Sequence, residues 1–443
     1  MMSDVIIIGG GLSGLAVAVE LVTKGAKVTL FEQSPKLGGR CYSYIDDTTG
    51  DVVDNGQHVL VGAYHHTLRY LEMIGTRSFL KEQSKLELPF FHPTKGFHTF
   101  KVSSLPKPFH LTSGMLQFSL LSFWERKRLL NVGLELQTWN KKKEEALKSL
   151  TIDQWLTSLK QSDDAKKCFW NPIAVSVMNE LPEQASALLF ARSIRATFLG
   201  KKSDSAILVP TIGQTELYVK GAEELLRKHK AEVFVNKGVE RIVFDGNKVV
   251  GVEVEGRVIK AHSVVSCVPY FALPALLGEN VSKVPSLVHV GKFKSVPIVS
   301  LNCWFDREFM EYDFAGLIDM KLQWVFNRRR LMNETGKATS YICAVISGAY
   351  DSVGMSKDDL VQMALRDFHK AFSKSRDAKL VHSVVIKEKR ATFSSSNEIE
   401  EFRPNTETSI KNFYLAGDWT NTGLPATIEG AVGSGFAVAV NCY

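Results

Sequence analysis

The residues best suited to chemistry by type and spacing lie within the first forty positions. Gly9, Gly11 and Gly14 stand at GxGxxG spacing, with Leu12 and Ser13 between the last two, and Glu32 follows roughly 20 residues on. Gly9 serves the tight turn, Gly11 lets backbone approach a pyrophosphate, and Gly14 lets helix and strand pack closely. The N–H groups opening the next helix, at the positive end of its dipole, suit phosphate oxygens. A carboxylate at Glu32 accepts hydrogen bonds from an adenosine ribose and would repel a 2′-phosphate, which argues against NADP. FAD and NAD both remain open on these residues alone.

A second set lies at the other end of the chain. Asp418, preceded by Gly417, ends the apolar run Phe413–Ala416. From a strand end its carboxylate is well placed for a flavin's ribityl or phosphate region. Pro425, Ala426 and Thr427 then open a helix full of small residues. Proline suits a first helical turn, small side chains let a flat ring approach, and the helix N-terminus stabilises negative charge on that ring.

The elements that must position these residues follow from pattern. Val5–Ile8 reads as an apolar strand, Leu15 to about Thr23 as a helix and Lys27–Phe31 as a second strand, a βαβ unit in order. Asp245-Gly246-Asn247 marks a hairpin, and Val264–Val268 reads as a short buried strand stopped by Pro269. The stretch from about 85 to 205 is mostly helical in pattern, with strand-like pieces near Phe90 and Phe97. At 443 residues the chain exceeds one ordinary core, so two domains are expected.

Leu37-Gly38-Gly39-Arg40 resembles the extended flavin motif of the amine oxidase and phytoene desaturase superfamily. Val53-Asp54-Asn55-Gly56-Gln57-His58-Val59-Leu60-Val61-Gly62-Ala63-Tyr64 resembles its squalene-associated branch, the hydroxysqualene dehydroxylases. So do Asn179–Ser186, Val209-Pro210 and the run from Gly417-Asp418-Trp419 to Glu429-Gly430-Ala431. The resemblance implies one FAD, with Arg40 against its phosphates and Gln33, Gly38, Gly39, Gly56, Gln57, His58 and Val239 along it. It implies non-covalent attachment, since the final helix has no cysteine where monoamine oxidases link their flavin. The implied fold is α/β: a Rossmann-like, glutathione-reductase-type FAD-binding domain with an inserted α+β substrate domain, as in amine oxidases. The expected FAD-binding domain combines residues 1–80, 205–275 and 405–443. Residues 81–204 are expected to give the substrate domain its helices, and 276–404 its sheet.

The activity implied is reductive dehydroxylation of hydroxysqualene to squalene, in bacterial squalene and hopanoid biosynthesis, by hydride from reduced flavin. A departing hydroxide needs a general acid within hydrogen-bond reach. His58 is the first candidate and Asp54 the second, both on the segment the resemblance places beside the ring. An allylic cation would be shielded by aromatic faces, for which Phe169, Trp170, Phe198, Trp304 and Trp324 are candidates. Two rival readings stand: a sibling flavoenzyme such as a carotenoid (phytoene-type) desaturase, and a non-catalytic flavin-binding partner protein. No second GxGxxG follows, so a built-in NAD(P)H domain is not expected.

Composition narrows the surroundings. Hydrophobic residues make up 45% and charged ones 23%, as in a soluble globular protein. The net charge of +7 is spread out, without a nucleic-acid motif, and fits contact with anionic headgroups better. Six scattered cysteines without a CxxC pair read as reduced thiols, with no metal site and no disulfide framework. No run reaches the ~18 apolar residues of a membrane span, and no signal peptide opens the chain, so a cytoplasmic protein is expected. A C30 hydrocarbon resides in the bilayer, so peripheral membrane contact is expected through Leu105–Leu130. There Pro106-Lys107-Pro108 precedes Leu116, Phe118, Leu120, Leu121, Phe123 and Trp124, and Glu125-Arg126-Lys127-Arg128 follows. The alternative for that segment is an internal helix.

Overall fold

The strand Ser3–Ile8 forms because Val5, Ile6 and Ile7 are β-branched and wholly buried on both faces, as a central parallel strand requires. The computed structural model describes residues 3–105, 109–334 and 336–443. On one side Ser3–Ile8 pairs in parallel with Val28–Phe31, Ile8 opposite Phe31, and Glu232–Phe234 extends that side. On the other it pairs in parallel with Arg257–Ser266, Ile8 opposite Ser266, and Phe413–Leu415 follows. The chain therefore leaves Ile8 where the sheet order turns, the crevice in which open α/β sheets bind ligands.

One strand is longer than its apolar core predicts. Arg257–Ser266 runs ten residues, because its polar first half pairs antiparallel with Lys248–Val254 while its apolar second half pairs in parallel. The first helix also starts earlier than Leu15, at Leu12, with Gly11 as its N-cap. It packs against the last helix, Ile428–Asn441, where a Cβ on Gly435 would lie 2.5 Å from the Ser13 carbonyl oxygen. That approach requires glycine.

Among the described residues the second sheet has seven strands. In spatial order they are Leu380–Phe393, Ser295–Phe305, Ser340–Ser347, Trp324–Asn327, Phe314–Leu317, Glu87–His92 and Gly96–Lys101. The last two are the strand-like pieces read near Phe90 and Phe97, and they join the sheet that residues 276–404 were expected to build. They form a hairpin that joins the far edge through a parallel pairing, Gly316 opposite Phe90. Helix Lys357–Ala371 contributes Leu360 and Phe368 to the apolar cluster that also holds Val299, Leu301 and Ile342. Helices between 109 and 199 share a separate cluster with Phe90, Phe100 and Phe326 of the sheet. The two sheets are knitted by a small one, in which Ile207–Pro210 pairs with both Leu60–Val61 and Leu80–Glu82.

Candidate functional site

The three fingerprint glycines differ in what requires them. Gly9 has φ +103°, and a Cβ there would stand 3.1 Å from the Cys267 carbonyl oxygen. A Cβ on Gly14 would be 2.0 Å from the Gly9 carbonyl oxygen. Gly11 has an ordinary φ of −71°, and a Cβ there meets nothing within 4 Å. No backbone strain or protein contact demands glycine at position 11. The open space above it is the space a bound group would take. The helix beginning at Leu12 has no side-chain cap and no acid in its first turn, so its N–H groups are left for an anion. Leu12 and Ser13 are buried.

Glu32 ends the second strand with its carboxylate accepting from the Gly10 N–H at 2.7 Å and the Ser34 N–H at 2.8 Å. Each oxygen keeps a further lone pair for a ribose hydroxyl. Gln33 is exposed, 3.5 Å from where a Cβ of Gly238 would stand, and Val239 next to it packs partly buried beneath the sheet.

Gly38 and Gly39 both have positive φ, +100° and +57°, and Gly38 donates to the Gly10 carbonyl at 2.8 Å. This turns Arg40 toward the C-terminal strand. Its guanidinium donates to Asp418 at 2.8 Å and to the Ala391 carbonyl at 2.6 Å. The carboxylate of Asp418 holds Arg40 above the usual arginine range. Gly417, at φ +150°, donates to Ser434 of the last helix, which fixes where Asp418 points. Arg40, Asp418, Pro269, Tyr270, Phe393 and Trp419 line part of a cleft of about 430 Å³.

Asp54, Gly56, Gln57 and His58 come together with residues that sequence reasoning missed. Asp54 accepts from the Gln214 N–H at 2.9 Å and is ion-paired with the buried Arg328 at 2.9 Å. Gln214 also donates to the Gly56 carbonyl, and Arg328 to the Gln57 side chain. Burial pushes His58 down to about 4, so its imidazole is neutral at pH 7. Asp54, ion-paired with Arg328 and accepting from a backbone amide, anchors the segment that carries His58. Around this segment Asn55 Oδ1, His58 Nδ1, Gln214 Oε1, Tyr218 Oη and Ser300 Oγ are buried without a protein partner. Buried polar atoms need partners, and five orphans about one segment mark where a polar ligand or water belongs.

Thr427 caps the last helix, its hydroxyl accepting from the Gly430 N–H at 3.1 Å, with Pro425 and Ala426 just before it. Glu429, within that helix's first turn, accepts from the His66 and Thr67 amides at 2.9 Å and so caps the helix His65–Met73 instead. Of the aromatic candidates, Phe169 and Trp170 are core residues, and Trp304 is buried against Tyr341 and donates to Asp51. They are packed away, because each ring completes an apolar cluster. Trp324 and Phe198 keep some exposure.

The segment Leu105–Leu130 is split. Phe118, Leu120 and Leu121 are core residues, contrary to a single outward face, whereas Phe109, Phe123 and Trp124 are 59%, 54% and 67% exposed. Pro106-Lys107-Pro108 lies outside the described residues. Among the described residues no helix is long and apolar enough to cross a membrane.

Residues 12–442 match the family described as flavin containing amine oxidoreductase. A hydroxysqualene dehydroxylase of Zymomonas mobilis is 27% identical, covering 99% of this chain and 98% of the relative. A 15-cis-phytoene desaturase of an Oncidium hybrid cultivar is 28% identical, over 98% of this chain and 76% of that protein. An oxidoreductase from Methanosarcina mazei superposes with a TM-score of 0.76 at 16% identity, covering 99% of this chain and 100% of its own. A triple mutant of putrescine oxidase gives 0.74 at 17% identity, covering 99% of this chain and 98% of its own. At such identities the two structures speak for the fold.

Proposed function

The chain belongs to the flavin containing amine oxidoreductase family and is an FAD-dependent oxidoreductase, and on that premise we propose that it reductively removes the hydroxyl group of hydroxysqualene to give squalene. The observation that carries this reading is the end-to-end match to hydroxysqualene dehydroxylases, 99% of this chain against 98% of one relative. A phytoene-type desaturation is the second reading, favoured by the comparable identity to phytoene desaturases. Both substrates are apolar isoprenoids.

FAD, bound and reduced, supplies the hydride. In this reading the amides of Gly9–Gly14 and Arg40 hold its pyrophosphate, Glu32 its ribose and Asp418 its ribityl chain. Residues 1–80, 205–275 and 405–443 form the domain that binds it, and the second sheet with its helices holds the substrate. The open space at Gly11, the uncapped helix after it and the orphaned polar atoms near His58 support this assignment. The stretch Pro425–Ala431 that opens the last helix contains no cysteine, which fits a dissociable flavin. His58, neutral and with Nδ1 without a protein partner, would orient the departing oxygen by a hydrogen bond, and the proton that completes water would be the one that reduced FAD gives up together with its hydride. Arg328 and Gln214 keep its segment in place through Asp54, Gln57 and Gly56.

Phe109, Phe123 and Trp124 form the surface through which the protein meets the bilayer that holds its substrate. Lys127 lies 4.6 Å from the Phe123 ring centre and 5.0 Å from that of Trp124, a cation at the edge of an apolar patch. Interfacial segments combine these two features to bind anionic lipid.

The test is anaerobic mixing of reduced holoenzyme with hydroxysqualene. Flavin absorbance should recover as squalene forms. If oxidised enzyme instead converts phytoene while reduced enzyme ignores hydroxysqualene, the desaturase reading replaces this one.

A further inference from the structure

Arg403 sits where neither the fingerprint nor the C-terminal motif predicts a functional residue. It is buried, with its side chain at 0% exposure, and its guanidinium is almost entirely spent on one loop. Nη2 donates to the carbonyls of Asp418, at 3.0 Å, and Thr420, and to the Thr422 hydroxyl at 2.8 Å. Nη1 donates to the Leu424 carbonyl at 2.8 Å and to Glu400 at 2.9 Å. The guanidinium carbon lies 5.0 Å from the ring centre of Phe393, which lines the same cleft as Asp418 and Arg40.

The loop from Asp418 to Leu424 is also tied by Arg40 to Asp418, by Trp419 to the Val268 carbonyl at 3.1 Å and by Asn421 to Pro404 and Asn405. Arg403, however, gathers four of its residues, Asp418, Thr420, Thr422 and Leu424, onto one guanidinium. The loop joins the strand Phe413–Leu415 to the helix Ile428–Asn441, and Thr420 and Leu424 otherwise make only local backbone turns. Several carbonyls pointing inward at one place repel one another unless a cation with fixed, forked donors gathers them. Arginine has that geometry and lysine does not. A buried guanidinium also keeps its charge, and Glu400 is the carboxylate ion-paired with it.

We propose that Arg403 is the positioning residue of the cofactor loop. It holds Asp418 and the entry to the last helix in register for the flavin, and with Glu400 it sets the fixed charge under that loop. The proposal rests on the assignment of Asp418 to the flavin. Its consequence is a split that ordinary packing would not produce. Arg403→Gln removes both fork and charge: the loop loosens, FAD binds about ten- to a hundred-fold more weakly, and the flavin's midpoint potential moves negative, because a cation stabilises the anionic reduced ring. Arg403→Lys keeps the charge, so the potential stays near that of the unaltered protein while FAD still leaves faster. Glu400→Gln removes the counter-charge and moves the potential in the positive direction.

The experiment is flavin retention by dialysis, spectroelectrochemical titration of the holoenzyme and amide hydrogen exchange over residues 417–424 for these three variants. Should Arg403→Gln fail to fold, Arg403→Lys, with faster flavin loss at an unchanged potential, and Glu400→Gln, with a positive shift in potential, decide the matter. Unchanged retention and potential in Arg403→Lys and Glu400→Gln, or equal loss of stability without a shift in potential, overturns the proposal. Asp418→Ala separates the two assignments. If it loses flavin while the Arg403 variants keep theirs, only the role of Arg403 falls. If it keeps its flavin, the placement of Asp418 at the cofactor falls, and the role of Arg403 with it.

Discussion

Arg40 and Asp418, 378 positions apart in the chain, are ion-paired at 2.8 Å. The contact ties the Gly38-Gly39 turn to the end of the C-terminal strand, and both residues open onto the cleft of about 430 Å³. Asp418 is buried while Arg40 is partly exposed, so the arginine is the partner free to turn toward an incoming phosphate.

Gly39, next to Arg40, lies against the glycine turn, its Cβ position 3.1 Å from the Gly11 Cα, and at that turn two substitutions should behave oppositely. Gly11→Val places its side chain in open space and should leave the cofactor-free fold intact while abolishing flavin binding. Gly14→Val drives a carbon into the Gly9 carbonyl and should fail to fold. Flavin content and thermal melting of the two proteins check this. A yellow Gly11→Val protein would place the pyrophosphate elsewhere.

Asp54→Asn strands Arg328, which is 1% exposed. Breaking a buried pair on one side costs about 3 kcal/mol, so urea unfolding should show a loss of that order. Adding Arg328→Gln should recover part of it, because the uncompensated charge goes. A loss under about 1 kcal/mol would mean that Arg328 finds another counter-charge.

His58 carries a pH signature. Burial lowers it from 6.5 to about 4, so the folded ring stays neutral where the unfolded ring takes a proton. Between about pH 6.5 and 4 the unfolded state binds more protons, and stability falls as pH drops through that window. His58→Gln should flatten this acid limb by on the order of 2 kcal/mol, allowing for the ring's partial exposure. Unfolding titrations at pH 7 and pH 4.5, about the ends of the window, measure it. An unchanged slope would show that His58 is accessible to protons in the folded state.

Phe123→Asp with Trp124→Asp should weaken co-sedimentation with anionic vesicles and leave flavin content and melting unchanged, since both rings are mostly exposed. If the double variant unfolds, or if the unaltered protein ignores vesicles, substrate enters by another surface.

The parts legible in the sequence were those built from neighbours. The glycine turn, Glu32 and the flanking strands occupy one continuous stretch, and local sterics fix the positive φ of Gly9 and the contact of Gly14 with the Gly9 carbonyl. The apolar strand before Asp418 carried its own signal for the same reason. The partners were another matter. Arg328 for Asp54, Gln214 for Gly56 and Arg403 for the Asp418 loop come from elements more than a dozen residues away. Neither Arg403 nor Arg328, the first of three successive arginines, has a periodicity that announces its partner. Tertiary structure also decided which aromatics belong to the core. Phe118 and Phe123 read alike in sequence, yet one is wholly buried and the other 54% exposed, because only the packing of the helix ending at Gln117 against its neighbours separates them. Local chemistry was written in the order of residues, whereas the charge beneath the site was written in the fold, since burial and pairing exist only once distant segments meet.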